Sequence, residues 1–186
     1  DADVVVVGGE FLEDLRRACR ADTPTERLRF ALQEQAQGTA DAVRAGLTAI
    51  PQSEDGERRG VLILNGDVPC LSPDTLARLV TAFEEGLDVS FLGFHAEDPT
   101  GYGRVLYDDS GTILGIREEK ELDAADREID LVNGGIYLVE EDLLREFIGG
   151  VQKSVHHGEY LLTDVVEYAL RTGRPADVVL VKDLEE

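Results

Sequence analysis

Val61-Leu62-Ile63-Leu64-Asn65-Gly66-Asp67 runs four apolar residues directly into an amide, a glycine and a carboxylate. A short unbroken apolar run that ends in turn residues is the pattern of a strand buried on both faces, flanked by helices. Outward from it the chain alternates such runs with amphipathic stretches. Residues 4–7 are continuous valine, and Phe11, Leu12, Leu15 and Ala18 follow at helical spacing. Residues 28–32 read as a strand and residues 40–50 as a helix with Thr39 as its N-cap. Residues 51–60 are a polar loop, and residues 61–64 are expected to be the most completely buried strand. Ser72-Pro73 opens a helix carrying Leu76, Leu79, Val80 and Phe83 on one face, and residues 88–94 return as strand. Beyond Gly103 the pattern becomes alternating. Val105 and Tyr107, a turn at Asp109-Ser110-Gly111 and residues 113–116 predict an antiparallel hairpin. Residues 136–139 predict a strand, 143–148 a helix stopped by Gly149-Gly150, 159–170 a helix and 178–181 a last strand. The sum is an α/β fold, a mainly parallel sheet with helices on both faces and an added antiparallel hairpin, in a single domain over residues 1–186.

Charge narrows the function. The chain of 186 residues carries 39 acidic and 18 basic side chains, a formal charge of −21. Binding to phosphate backbones needs the opposite balance, which argues against nucleic-acid partners. No apolar run approaches the roughly 20 residues that cross a bilayer, and no charged-then-apolar leader opens the chain. A cytoplasmic address is expected, with no membrane partner. Cys19 and Cys70 neither staple a fold nor make a close metal pair, and Cys70 is expected to be a small buried hydrophobe. There is no methionine, even at position 1, so the chain reads as a segment or a processed product.

Three segments carry candidate chemistry, each with a plainer reading beside it. Asp67 emerges at the carboxyl end of a strand, where ligands bind in open α/β sheets, and Gly66 lets a phosphate approach the backbone. A lone hard carboxylate there suits Mg²⁺, which takes one or two carboxylates plus water and substrate phosphates. The plainer reading is a turn cap before Val68-Pro69. Gln33-Glu34-Gln35-Ala36-Gln37-Gly38-Thr39 offers amide donors and acceptors matching the edge of a base, or is an ordinary loop between strand and helix. Asp98-Pro99-Thr100-Gly101-Tyr102-Gly103-Arg104 is a tight loop suited to a sugar hydroxyl or an oxyanion, or a plain turn into the hairpin.

Taken together and in order, these segments and Gly158-Glu159-Tyr160-Leu161-Leu162-Thr163-Asp164 resemble the uridylyltransferase domain of bacterial N-acetylglucosamine-1-phosphate uridylyltransferases. The resemblance covers essentially the whole chain, and Asp98 through Arg104 is its most specific run. It implies a Rossmann-like nucleotide-diphospho-sugar transferase fold. The implied reaction joins UTP and N-acetylglucosamine 1-phosphate into UDP-N-acetylglucosamine and pyrophosphate, for cell-wall peptidoglycan synthesis. By the resemblance, Gln33, Gly38 and Thr39 face the uracil, and Asn65, Gly66 and Asp67 face the ribose and phosphates. Asp67 would be the catalytic Mg²⁺ ligand. Gly103, Glu118 and Asn133 would hold the N-acetylglucosamine part, joined by Glu159 and Thr163. The full-length family further implies a homo-oligomer, a trimer, with an acetyltransferase half.

The sequence departs from that family in places. The glycine-rich triphosphate loop of type G-x-G-T-R-M and its lysine precede the point where this chain starts. The chain ends at Lys182-Asp183-Leu184-Glu185-Glu186, before the family's second metal-binding asparagine. It is therefore read as truncated at both ends and expected to turn over weakly or not at all by itself. Gln35-Ala36 stands where the family has Glu-Gln, Leu161 where an aromatic is usual, and Gly134 where a threonine follows Asn133. The alternatives are another sugar-1-phosphate nucleotidyltransferase, or a non-catalytic module that binds nucleotide sugars. His156-His157 read as a solvated loop, because side chains of adjacent residues diverge.

Overall fold

The computed structural model describes residues 3–22, 27–53, 57–68 and 70–181. Pro69, residues 54–56 of the polar loop and the terminal Lys182-Asp183-Leu184-Glu185-Glu186 lie outside the described residues. The chain divides into two compact units, one of Asp1–Glu57 with Arg145–Leu162, the other of Arg58–Leu144 with Thr163–Glu186.

In the first unit β1 (Val4–Gly8) pairs in parallel with β2 (Leu28–Leu32), Val4 opposite Leu28 and Gly8 opposite Leu32. The Gln33 amide continues this ladder onto the Gly8 carbonyl at 2.9 Å. Helix α1 (Leu12–Asp22) connects the strands and buries Leu12, while the Arg16 guanidinium lies 5.3 Å from the centre of the Phe30 ring. Helix α2 (Thr39–Leu47) follows β2 and lies close to β1, because Gly46 leaves room for Val7. Its N-cap is Gly38, and Thr39 is its first residue, so the expected Thr39 cap is not formed. The Thr39 hydroxyl instead accepts the Leu162 amide at 3.0 Å.

The second unit contains a six-stranded sheet along β6-β5-β7-β4-β8, with β3 also paired to β7. Its strands are β3 (Gly60–Ile63), β4 (Val89–His95), β5 (Arg104–Tyr107), β6 (Ile113–Arg117), β7 (Leu131–Glu140) and β8 (Ala176–Leu180). The expected hairpin is present as β5 and β6. Its turn is held by the Asp108 carboxylate, which accepts the Ser110 and Thr112 amides at 2.9 and 2.8 Å. The sheet is not mainly parallel. Among the described residues β4–β8 is its parallel pair, while β7 runs antiparallel to β3, β4 and β5. Strands β4 and β7 are buried over most of their length although they pair antiparallel, so an unbroken apolar run does not by itself mark a parallel sheet.

Helix α3 (Pro73–Glu84) starts as expected: Ser72 caps it by accepting the Thr75 amide at 3.1 Å, with Pro73 in the first turn. It packs Leu76, Leu79 and Phe83 on Leu92, Ile136 and Leu138, but Val80 faces out. By strand alternation Phe91 and Tyr137 point to the opposite face, where their rings stack at 5.9 Å. Helix α5 (Asp164–Arg171), with Val165, Val166 and Ala169 buried, packs against β4, β6 and β8.

Further expectations are revised. Strand β3 is only half buried, with Leu62 38% exposed and Leu64, just past its end, 50% exposed; β7 is its single partner among the described residues. Helix α4 (Glu141–Gly150) ends on Gly149-Gly150, where the sequence placed its stop, with the two glycines as its last residues. Residues 159–162 are not helical, because their backbone hydrogen bonds are taken by residues 37–40, and Cys70 is exposed. No helix among the described residues is long and apolar enough to cross a membrane.

Candidate functional site

In the first unit Gln33, Gly38, Thr39 and Glu159 come together around a backbone clasp. The Tyr160 amide donates to the Gln37 carbonyl at 2.8 Å, and the Tyr160 carbonyl accepts the Ala40 amide at 3.0 Å. Two segments more than a hundred residues apart are thereby zipped. Gly38 makes this possible with φ 112° and ψ 175°, a conformation open essentially to glycine alone. A Cβ on Gly38 would stand 2.9 Å from the Tyr160 nitrogen, closer still to its carbonyl oxygen, and 3.0 Å from the Glu159 Cβ. The Tyr160 ring lies 4.6 Å from the Arg44 guanidinium and 5.2 Å from the Lys153 ammonium, both cation–π distances.

Gln33 is half buried at the mouth of this loop. Its side-chain amide donates to the Gly38 carbonyl at 3.2 Å and to an Asp41 carboxylate oxygen at 2.9 Å. The other Asp41 oxygen accepts from Arg44 at 2.8 Å. Asp41 had no signal in the sequence, since it sits in an unremarkable first helical turn.

In the second unit Gly103, Glu118, Asn133 and Thr163 converge. The Asn133 amide donates to the Gly103 carbonyl at 2.9 Å, which ties the glycine-tyrosine loop to β7. The Thr163 hydroxyl donates to one Glu118 carboxylate oxygen at 2.9 Å. The second oxygen lies 3.5 Å from where a Gly103 side chain would begin, and the Ile116 side chain lies closer, at 3.0 Å. The Asn133 side-chain oxygen accepts the Gly135 amide at 3.0 Å. Asn65 reaches the same strand, its side-chain nitrogen standing 2.6 Å from the place of a Cβ on Gly135, where φ is +75°. Gly66 and Asp67 follow in an exposed turn at the end of β3, and a Cβ on Gly66 would meet nothing within 4 Å.

Sequence reading missed Gly135 and Tyr137, and gave Arg104 no role beyond its place in the Asp98–Arg104 run. The Gly134-Gly135 pair after Asn133 was the available signal for the first. Tyr137 is fully buried; burial pushes its phenol up, the Asn133 side chain partly opposes this, and the charges of Glu118 and Asp164 add to it. It therefore stays a neutral hydroxyl beneath the cluster. Arg104 is buried and paired with Glu119 at 3.0 Å. In the preceding loop the exposed Asp98 accepts the Thr100 amide at 3.1 Å, and hydrogen bonds from Thr100 hold its carboxyl below the usual range. That is the geometry of a turn, and the backbone amides of Thr100 and Tyr102 are used within it. Alongside lies a cleft of about 380 Å³, lined among others by Val68, Leu92, Phe94, Tyr102, Gly134 and Ile136.

The donor set limits what metal it can hold. Among the described residues no three His, Cys, Asp or Glu side chains converge on one point. A single exposed carboxylate such as Asp67 instead matches an ion completed by water and phosphate oxygens, which is the habit of Mg²⁺. His156 is exposed, and both adjacent histidines have their backbone amides on the Ser154 hydroxyl at 3.3 Å, as expected of a loop.

Comparison with known proteins gives this geometry a context. A family model described as nucleotidyl transferase matches residues 3–184. The bifunctional protein GlmU of Sorangium cellulosum is 38% identical over 182 residues, covering 96% of this chain and 38% of that protein. The protein of the same name from an Anaeromyxobacter species is 40% identical over 176 residues, covering 94% of this chain and 35% of the relative. For Nitrobacter hamburgensis the figures are 36% over 178 residues, 96% and 37%. The chain thus spans little more than a third of the length of these relatives.

Proposed function

The chain belongs to the nucleotidyl transferase family, and on that basis we propose that it joins UTP to N-acetylglucosamine 1-phosphate, giving UDP-N-acetylglucosamine and pyrophosphate. The observation that carries this reading is the cluster of Gly103, Glu118, Asn133 and Thr163. It sets a carboxylate oriented by the Thr163 hydroxyl and the Asn133 side chain, itself held on the Gly135 amide, beside a glycine, groups of the kind that hold sugar hydroxyls. The similarity to the bifunctional GlmU proteins supports the nucleotidyl transferase reading.

In this reading residues 1–186 are one transferase domain. Gln33, Gly38 and Thr39 contact the uracil, with Glu159 beside them. Asn65, Gly66 and Asp67 face the ribose and phosphates, and Gly103, Glu118, Asn133 and Thr163 hold the sugar. A sugar-phosphate oxygen attacks the α-phosphorus in line, the bond to the β-phosphate oxygen breaks, and pyrophosphate leaves with that electron pair. No side-chain nucleophile is required, so positioning and charge neutralisation supply the rate. Mg²⁺, with Asp67 as its protein ligand, would supply charge neutralisation between anionic phosphates in a chain of net charge −21. The carboxylate of Glu118 is steered by the Thr163 hydroxyl, and Gly66 leaves space for a phosphate against the backbone. By the same likeness we place the reaction in the bacterial cytoplasm, within a longer and oligomeric protein that supplies UDP-N-acetylglucosamine for peptidoglycan.

Pyrophosphate release by the protein carrying this chain tests the proposal, with UTP, CTP, GTP and TTP against N-acetylglucosamine, glucose and galactosamine 1-phosphates. Metal-dependent release that is greatest with UTP and N-acetylglucosamine 1-phosphate, and lost in Asp67→Ala, is expected. A different preferred pair, or undiminished release in Asp67→Ala, would overturn the assignment of substrate or of Asp67.

A further inference from the structure

The orientation of the Gln33 amide is not free, and the residue that fixes it lies outside the set assigned above. A primary amide has two N–H donors, and both of Gln33 are engaged, one on the Gly38 carbonyl at 3.2 Å and one on Asp41 at 2.9 Å. Both partners can only accept, since a backbone carbonyl has no hydrogen and the Asp41 carboxylate faces Arg44 with its other oxygen at 2.8 Å. Turning the amide over would remove two hydrogen bonds and set its oxygen against two acceptors. Each lost hydrogen bond shifts an equilibrium by roughly tenfold, and two repulsive contacts add to that. The polar edge that Gln33 has left to offer a ligand is its carbonyl oxygen.

We infer that Asp41 is a positioning residue that holds the Gln33 oxygen outward, and that the site thereby selects a pyrimidine whose ring nitrogen carries a hydrogen. This rests on the reading that Gln33 faces the base. Uracil presents an N–H at ring position 3, which the oxygen accepts; cytosine presents a bare nitrogen there, which the oxygen repels. Two acceptors forced together in a site built for a donor discriminate more strongly than a difference in shape of one methylene. Arg44 belongs to the same device. It pairs with Asp41 and lies 4.6 Å from the Tyr160 ring, which links the amide's orientation to the backbone clasp that closes the loop.

The test compares binding of UDP and CDP by calorimetry, in the presence of Mg²⁺, to the unaltered chain, Asp41→Leu and Asp41→Asn. The unaltered chain is expected to prefer UDP by about tenfold or more. Asp41→Leu frees the amide to turn and brings the ratio down by about tenfold, toward parity. Asp41→Asn keeps the volume but lets both amides turn together, lowering the ratio by about threefold. The side-chain amide signals of Gln33 in ¹⁵N spectra provide a reading that needs no ligand: a protected pair in the unaltered chain, and rapid exchange in Asp41→Leu. A ratio unchanged in both variants, or equal weakening of UDP and CDP, would reduce Asp41 to a structural role and overturn the inference alone. No preference for UDP in the unaltered chain overturns the uridine assignment and the inference with it.

Discussion

Gly38→Ala isolates the contact that shapes the base-facing loop. At φ 112° and ψ 175° the residue lies in a region essentially closed to side chains, and forcing alanine there costs about 1–3 kcal/mol. The added methyl also meets backbone, 2.9 Å from the Tyr160 nitrogen and closer to its carbonyl oxygen, so no rotamer change relieves it. Pushing two backbone segments apart costs about a further 1–3 kcal/mol. The sum, about 2–6 kcal/mol, is a large share of the roughly 5–15 kcal/mol of a typical domain. Gly86→Ala is the control, since its φ is +115° but a Cβ there meets nothing within 4 Å, leaving strain alone. Urea unfolding should place Gly38→Ala below Gly86→Ala, because only the first adds a backbone clash to the strain. Hydrogen exchange should show the Tyr160 and Leu162 amides losing protection, because their acceptors are the Gln37 carbonyl and the Thr39 hydroxyl. Equal stabilities of the two variants, with Tyr160 and Leu162 still protected, would show that the close approach does not exist.

Other outcomes follow from named contacts. Ser72→Ala removes the cap of α3 and should cost about 1 kcal/mol in urea unfolding, with Ser72→Gly losing less. Thr163→Val removes a 2.9 Å donor to Glu118; it should cost about 1.5–3 kcal/mol and raise the Kd for N-acetylglucosamine 1-phosphate in calorimetry. Burial alone would raise the Asp88 carboxyl, but hydrogen bonds and charge from Arg174 and Arg58 outweigh it and hold the group below 3.8. A carboxyl depressed in the folded state contributes stability that is present above 3.8 and lost as pH falls through its lower folded value. Asp88→Asn should therefore flatten the loss of stability below that pH, measured as urea midpoints across an acid series.

What the sequence disclosed was local, and what it hid was long-range. The cap at Ser72-Pro73 and the turn between β5 and β6 were legible because their donors and acceptors lie within four residues of each other. The apolar spacing from Tyr160 onward read as one helix from 159, yet the helix begins at Asp164. Hydrogen bonds of Tyr160 and Leu162 to residues 37–40 take the place of helical ones, and the Thr39–Leu162 partners are 123 positions apart. The same contact moved Thr39 from a predicted cap to an acceptor. Direction was equally hidden, since the valine and isoleucine content of β7 would suit a parallel or an antiparallel neighbour. In the candidate site, Glu118 was marked by the resemblance alone, and its bond to Thr163 sets it apart from Glu119, which pairs with Arg104 and Arg127. Asp41 carried no signal at all, because its role exists through Gln33 alone.

The most direct measurement is calorimetric binding of UDP-N-acetylglucosamine to this chain with and without Mg²⁺, beside UDP-glucose, UDP-N-acetylgalactosamine and the Asp67→Ala variant. The account predicts that UDP-N-acetylglucosamine binds most tightly of the three, that Mg²⁺ strengthens it, and that Asp67→Ala abolishes the metal effect while leaving the sugar preference. Binding without sugar preference, or a metal effect that survives in Asp67→Ala, would contradict it.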